Sequence, residues 1–285
     1  MRLFLKNILL FGAIVIGIFA TCITAKYMIT HSISFKEPEN VHFLFIGASH
    51  PWHGIDEHLL RDAINRSARS ERYMYSYLKL KQIINDNPQI DTVFIECSPT
   101  DIWENTDDKY FNENEMSYFI PLYFPLFSSD EWKIYSHKMP DVIKLIVQKS
   151  FQLNQLFPER LMAGFGTQAD KAENLVKMNS SEVVPAMIDG NLGNEINYTY
   201  LRKIIDLCDK HDIKLYGIYF PVYHPEYYYD QEYYHKALSE KFPDLDVLDY
   251  SGMTLPDSAR FDAHHLNWYG AQIFTTELKN RFKIR

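Results

Sequence analysis

Two short stretches at opposite ends of the chain carry residue types that together can perform acyl transfer. One is Gly47-Ala48-Ser49-His50, where a serine follows an apolar run and a glycine; the other is Asp262-Ala263-His264-His265-Leu266-Asn267. A serine hydroxyl is a weak nucleophile until a neighbouring base takes its proton, and histidine is the side chain best suited to do so near neutral pH. A carboxylate three residues before a histidine can reach its imidazole, fix its tautomer and stabilise the imidazolium. The expected roles are Ser49 as nucleophile, His265 as base and Asp262 as its orienter. Asn267 stands where a cap for the terminal helix is needed.

Further polar residues cluster around these two blocks. His50, Trp52 and His53 are expected to line the pocket beside Ser49, as are Asp101 and Trp103 after a later strand end. The same histidines, with His264, His265 and Asp262, admit a zinc-site reading. Their spacing is generic and no second ligand motif accompanies them, so the expectation is neither metal nor cofactor.

Buried strands must place these residues. Val41 to Ile46 is an almost continuous apolar run ended by Gly47, the pattern of a strand covered on both faces of a parallel sheet. Thr92 to Cys97, Ile213 to Phe220 and Val247 to Tyr250 read the same way. Helical spacing follows Asp56 (Leu59, Leu60, Ala63), recurs from Tyr73 to Asn85, ends at Ile204 to His211, and returns from Trp268 to Phe282. Strands alternating with helices predict an α/β fold with a parallel sheet flanked by helices, a three-layer sandwich. In such sheets ligands bind beyond the carboxyl ends of the strands, where Ser49 would stand. Between about residues 104 and 194 the alternation fails, and an aromatic and helical insertion is expected.

The amino terminus has a different character. Asn7 to Ala25 contains no charge and would span roughly 28 Å as a helix, close to the thickness of a bilayer's hydrocarbon core. Arg2 and Lys6 precede it, so the positive-inside rule keeps that tip in the cytoplasm and exports the rest. A cleaved signal peptide shares this charge order, but the run is long for one and no small-x-small site follows it. The expected plan is a cytoplasmic tip and membrane anchor over residues 1–30, a linker over 31–40 and one α/β domain over 41–285.

Composition narrows the function classes. Of 285 residues, 46% are hydrophobic and 23% charged, as in ordinary globular chains. The net charge of −8 comes without a basic stripe, which argues against nucleic acid as a partner. Aromatic residues make up 15%, and rings such as those from Tyr223 to Tyr234 suit carbohydrate stacking, a membrane-facing rim or plain packing. Cys97 and Cys208 fall in apolar runs and are expected to be buried and chemically idle.

The two blocks also resemble a known family. SGNH (GDSL-type) hydrolases carry a nucleophilic serine after their first strand and a catalytic Asp-x-x-His before their last helix. Gly47-Ala48-Ser49-His50 and Asp262-Ala263-His264-His265 match that arrangement. His265-Leu266-Asn267 and Gly270-Ala271 look like the membrane-anchored branch with the teichoic-acid D-alanyl transfer and alginate O-acetylation proteins. The resemblance runs from about Val41 to the end, excluding the insertion. Three departures stand out: Ala48 replaces the aspartate common after the first glycine, no glycine occurs from Asn65 to Ser70, and Ser98-Pro99-Thr100-Asp101 stands where the family has GxND. The oxyanion hole is therefore expected to use the N–H of Ser49 with a neighbour such as Ser67 or Ser98.

The resemblance implies ester chemistry on cell-envelope polysaccharide or glycolipid through an acyl-Ser49 intermediate, as O-acyltransferase or esterase. A transferase of this kind implies a membrane-bound partner that delivers the acyl group. Two other readings stay open: an inactive SGNH-like glycan-binding or assembly protein, and an unrelated α/β domain in which Ser49 and His265 never meet.

Overall fold

A computed structural model of the chain describes residues 1–102, 106–150, 195–223 and 231–285. Five parallel strands form one sheet: β1 (Phe43–Ile46), β2 (Ala63–Asn65), β3 (Thr92–Glu96), β4 (Lys214–Tyr219) and β5 (Asp246–Asp249), in the order β2-β1-β3-β4-β5. β1 pairs with both β2 and β3, so the strand order reverses beside it. A doubly wound sheet opens its ligand crevice at that reversal, outside the carboxyl ends of the strands.

The helices of the described residues are α1 (Arg2–Ser32), α2 (Ser49–Gly54), α3 (Tyr73–Asp86), α4 (Pro99–Ile102), α5 (Thr106–Tyr110), α6 (Glu113–Tyr123), α7 (Ser129–Ile134), α8 (Met139–Ser150), α9 (Glu195–Lys210), α10 (Gln231–Lys241) and α11 (Trp268–Phe282). They belong to two compact units. One holds residues 1–34 with 110–150; the other holds 35–102, 106–109, 195–223 and 231–285.

The second unit contains the sheet. Strand periodicity sends Phe45, Phe94, Ile218 and Leu248 to one face, where they pack with Ile55, Leu266, Phe274 and Leu278. Leu44, Ile46, Val93 and Ile95 alternate with them and are equally buried. This two-sided burial explains why the strands read as unbroken apolar runs. Helices α3 and α9 pack on each other, with the Tyr77 and Tyr200 rings 5.7 Å apart. Cys97 and Cys208 are both buried, and burial pushes each thiol up to about 12.

Three expectations change. The helix expected after Asp56 is only a 3₁₀ turn, Glu57–Leu59, in which the Asp56 side chain accepts from the His58 N–H; the chain then enters β2. Residues 31–40 are not a free linker. The apolar helix continues to Ser32, and from Phe35 the chain is docked: Phe35 N–H donates to Asp86 Oδ2 (2.6 Å), Glu37 N–H to Asn87 Oδ1 (2.6 Å), and Phe35 is buried. Thirdly, the described part of the expected insertion divides between the units, with α5 up to Lys109 in the sheet's unit and the stretch from Tyr110 to residue 150 in that of α1. Residues 151–194, and 224–230 of the tyrosine-rich stretch, lie outside the described residues.

In the first unit, Lys26 near the end of α1 donates to the Pro121 carbonyl and sits over the Phe124 ring at 5.5 Å. The amino-terminal part of α1 is long and apolar enough to cross a membrane, and its Phe4, Leu9, Phe11 and Ile16 are exposed.

Candidate active site

The turn after β1 is shaped by Gly47. Its φ of +134° is open to glycine and strained for other residues, and a Cβ added there would stand 2.5 Å from the Glu96 Cβ. This close approach lets the chain leave β1 across the end of β3 and start α2 at Ser49. The Glu96 carboxylate then secures the turn, accepting the Ala48 N–H at 2.7 Å.

The opposite wall is the loop before α11. An isolated antiparallel bridge pairs Arg260 with Leu266, and Phe261 N–H donates to the His265 carbonyl. Inside this loop Asp262 Oδ1 accepts the N–H groups of His264 and His265, each at 2.8 Å, so the carboxylate is fixed by backbone. Asn267 caps α11 through Gly270 N–H, and its amide donates to the carbonyls of Ser258 (2.7 Å) and Arg260 (3.1 Å). Gly270 is needed for closeness: a Cβ there would lie 2.0 Å from the Ala259 carbonyl oxygen.

These two loops meet. His265 Nε2 lies 2.8 Å from Ser49 Oγ, and His265 Nδ1 lies 2.9 Å from each Asp262 oxygen. Burial alone would raise the Asp262 carboxyl, but the hydrogen bond and charge of His265 and the two backbone donors hold it well below the usual carboxylate range. An ionised Asp262 favours the tautomer with hydrogen on Nδ1, which leaves Nε2 free to accept the serine proton.

A second carboxylate–histidine pair stands beside the first. His50 Nδ1 is 2.5 Å from Glu96 Oε1, and the His50 ring stacks on His265 with centroids 5.3 Å apart. Burial opposes the charge on both groups, yet their mutual attraction prevails: His50 is raised and Glu96 is lowered. Around them opens a cleft of about 260 Å³ lined by Ser49, His50, Glu96, His264 and His265, with Ser70, Arg72, Thr100, Asp101 and Lys109 on its other sides. Burial, and next the nearby Glu96 charge, push Asp101 up to about 6, while Arg72, 3.7 Å away, opposes this.

The remaining expected pocket residues fall elsewhere. His53 is buried behind the base, 4.8 Å from the His265 ring and stacked on Phe261 at 5.6 Å. Burial, helped by the charges of His265 and Arg69, lowers it to about 3, so it is a neutral wall. Trp52 meets His53 edge-on and carries the Arg69 guanidinium on its face at 4.3 Å. Neither lines the cleft. Trp103 lies outside the described residues.

Ser67 and Ser98 do not serve as expected. Ser67 N–H donates to Asn65 Oδ1 (3.1 Å) and its hydroxyl to the same oxygen. Ser98 N–H and hydroxyl both donate to Asp101 Oδ2, at 3.4 and 2.7 Å. Both N–H groups are engaged within their own turns, and neither residue lines the cleft. The residue that does line it from the β2 side is Ser70, held at φ 58° in the left-handed region. Among the described residues, no hydrogen bond engages the N–H of Ser49 or Ser70, and no group of three or more metal-ligating side chains is placed to hold an ion.

Sequence reasoning passed over Glu96, Ser70, Arg72, Thr100 and Lys109. Only Glu96 left a signal: it is an acid inside the apolar run TVFIEC, where a buried charge requires a partner.

A profile of an uncharacterised protein family matches residues 149–284, which includes β4, β5 and the Asp262–His265 loop but not Ser49. A comparison with curated proteins finds no match.

Proposed function

We propose that this chain is an SGNH-type serine esterase or O-acyltransferase, anchored by α1 and working outside the cytoplasm on acylated cell-envelope polysaccharide or glycolipid. The observation that carries the reading is the aligned series Ser49 Oγ, His265, Asp262, at 2.8 and 2.9 Å. In the first half-reaction Ser49 Oγ attacks the acyl carbon while His265 Nε2 takes its proton; the leaving hydroxyl then takes that proton as its bond to the acyl carbon breaks. In the second half, water or a sugar hydroxyl gives its proton to His265, attacks the acyl-Ser49 ester, and Ser49 recovers its proton. Admission of water makes an esterase, and admission of a sugar makes a transferase.

The positive residues before the apolar stretch of α1 support an exported domain, and tethering confines it to substrates near the membrane. A transferase of this kind would receive acyl groups from a membrane-bound partner protein. The rival reading is a glycan-binding module without turnover, favoured by the engagement of the Ser67 and Ser98 N–H groups. Full-length protein in detergent, assayed for acetate release from acetylated saccharides and from an activated aryl ester, separates the two. Turnover in wild type that vanishes in Ser49→Ala and His265→Ala is expected. Saccharide binding that persists in Ser49→Ala, with wild type inert on every ester, would instead favour the binding module.

A further inference from the structure

An oxyanion needs hydrogen-bond donors already aimed at the place where charge develops, in a site with little water. In this cleft the N–H groups of Ser49 and Ser70 are available backbone donors, while those of Ala48, Ser67 and Ser98 are engaged. The side chain that lines the cleft with an uncommitted ring nitrogen is His50. Its Nδ1 is tied to Glu96, whereas its Nε2 is buried and has no partner among the described residues. A buried polar atom without a partner, on a side chain that lines the cleft beside the nucleophile, is what remains when the missing partner is the ligand.

We propose that His50 supplies a side-chain oxyanion donor beside these backbone N–H groups: Glu96 holds its Nδ1, and its Nε2–H binds the carbonyl oxygen of the acyl group that Ser49 attacks. The assignment rests on the acyl-Ser49 reading and adds a catalytic residue to it. As the Oγ–carbon bond forms, the carbonyl π pair moves onto oxygen and the Ser49 proton moves to His265. His50 keeps its own proton throughout and only donates a hydrogen bond. When the intermediate collapses, the pair returns, the bond to the leaving oxygen breaks, and His265 protonates that oxygen. Glu96 is the positioning residue, since one carboxyl oxygen orients His50 and the other fixes the Ala48 N–H in the turn that carries the nucleophile.

The role requires the doubly protonated ring. Neutral His50 with its hydrogen on Nδ1 still bonds Glu96, but its Nε2 becomes an acceptor and repels an oxyanion. The groups around it are Glu96 from β3, Asp101 from α4, Asp262 and His265 from the loop before α11, and His53 from its own helix. Arg72 and Lys109 line the same cleft. Burial disfavours the cation, but the three carboxylates outweigh it, so His50 stays protonated to a higher pH than an ordinary imidazole. Donation is therefore present at low pH and lost as pH rises through that raised value, and it gives kcat an alkaline descending limb.

The test uses the full chain in detergent and an activated aryl acetate. His50→Ala is expected to lower kcat about 10²- to 10³-fold with KM little changed. His50→Gln, whose amide N–H does not titrate, is expected to recover roughly tenfold of that loss and to lack the alkaline limb. A kcat within about threefold of wild type in His50→Ala, or an unchanged alkaline limb in His50→Gln, would overturn the assignment while leaving the acyl-serine intact. Should His50→Ala fail to fold, the limb in His50→Gln decides. Turnover that survives Ser49→Ala, or wild type that neither turns over nor reacts with a fluorophosphonate at Ser49, would overturn the acyl-serine reading and this assignment with it.

Discussion

Two carboxylate–histidine pairs converge on one serine, and they are built in opposite ways. Asp262 and His265 belong to one turn, three residues apart, with the carboxylate fixed by the N–H groups of the same turn. Glu96 ends β3 and His50 lies in α2, just beyond β1; 46 residues apart, they become adjacent because β1 pairs with β3. The first pair is partly exposed, with 40% of the Asp262 side chain accessible, and the second is nearly sealed, with 2% for Glu96. A base has to give and take protons during the reaction, so its orienter tolerates solvent. A fixed donor works best where water cannot compete for it.

The largest separation between the pairs is expected in catalysis. His265→Ala removes the base and should reduce kcat about 10⁶-fold, the scale seen when one member of such a triad is lost. Asp262→Asn should cost about 10⁴-fold, through the wrong tautomer rather than lost geometry. Glu96→Gln should approach but not exceed the about 10²- to 10³-fold expected when an oxyanion donor is lost outright, because it removes the main charge that keeps His50 protonated. Single-turnover acylation of Ser49 measures all three. A loss in Glu96→Gln as large as that in Asp262→Asn would erase the distinction between the two pairs.

Stability gives a second contrast. Lys79 and Glu71 form an ion pair at 2.8 Å with both side chains fully buried, so Lys79→Met leaves a sealed carboxylate without its cation and should destabilise by about 3–5 kcal/mol in urea unfolding. Gly47→Ala meets both a forbidding φ and the Glu96 Cβ, and about 1–3 kcal/mol is expected, with turnover falling alongside the thermal midpoint. The smallest effect is the acid limb of Asp262. Its folded pKa lies below its unfolded value of 3.8, so its contribution is present above about pH 4 and fades as pH falls below that. Asp262→Asn should flatten the change in urea midpoint between about pH 5 and 3, modestly because the group is partly solvated. An unaltered acid slope would show that the Asp262–His265 bond adds nothing to folding.

Legibility followed locality. β1, β3, β4 and β5 were readable because strands buried on both faces leave continuous apolar runs, and α11 because its cap, glycine and stripe lie together. β2 was not, since Ala63–Asn65 is a three-residue edge strand, too short for any periodicity, and it follows leucines spaced as in a helix. Trp52 and His53 illustrate a related limit: closeness to Ser49 in sequence did not bring them to the cleft, because a short helix turns them toward Phe261 and Arg69 instead.

What the sequence determined by itself is whatever few-residue geometry dictates: the apolar helix long enough to cross a membrane, the Asp262–His265 turn and the Asn267 cap. The tertiary structure decided the rest. Ser49 meets His265 across 216 residues, and His50 meets Glu96, only because parallel pairing in the order β2-β1-β3-β4-β5 brings the ends of distant strands to one edge. Side-chain type and spacing fix what a turn can do. Which turns face each other depends on the strand order, which no local pattern encodes.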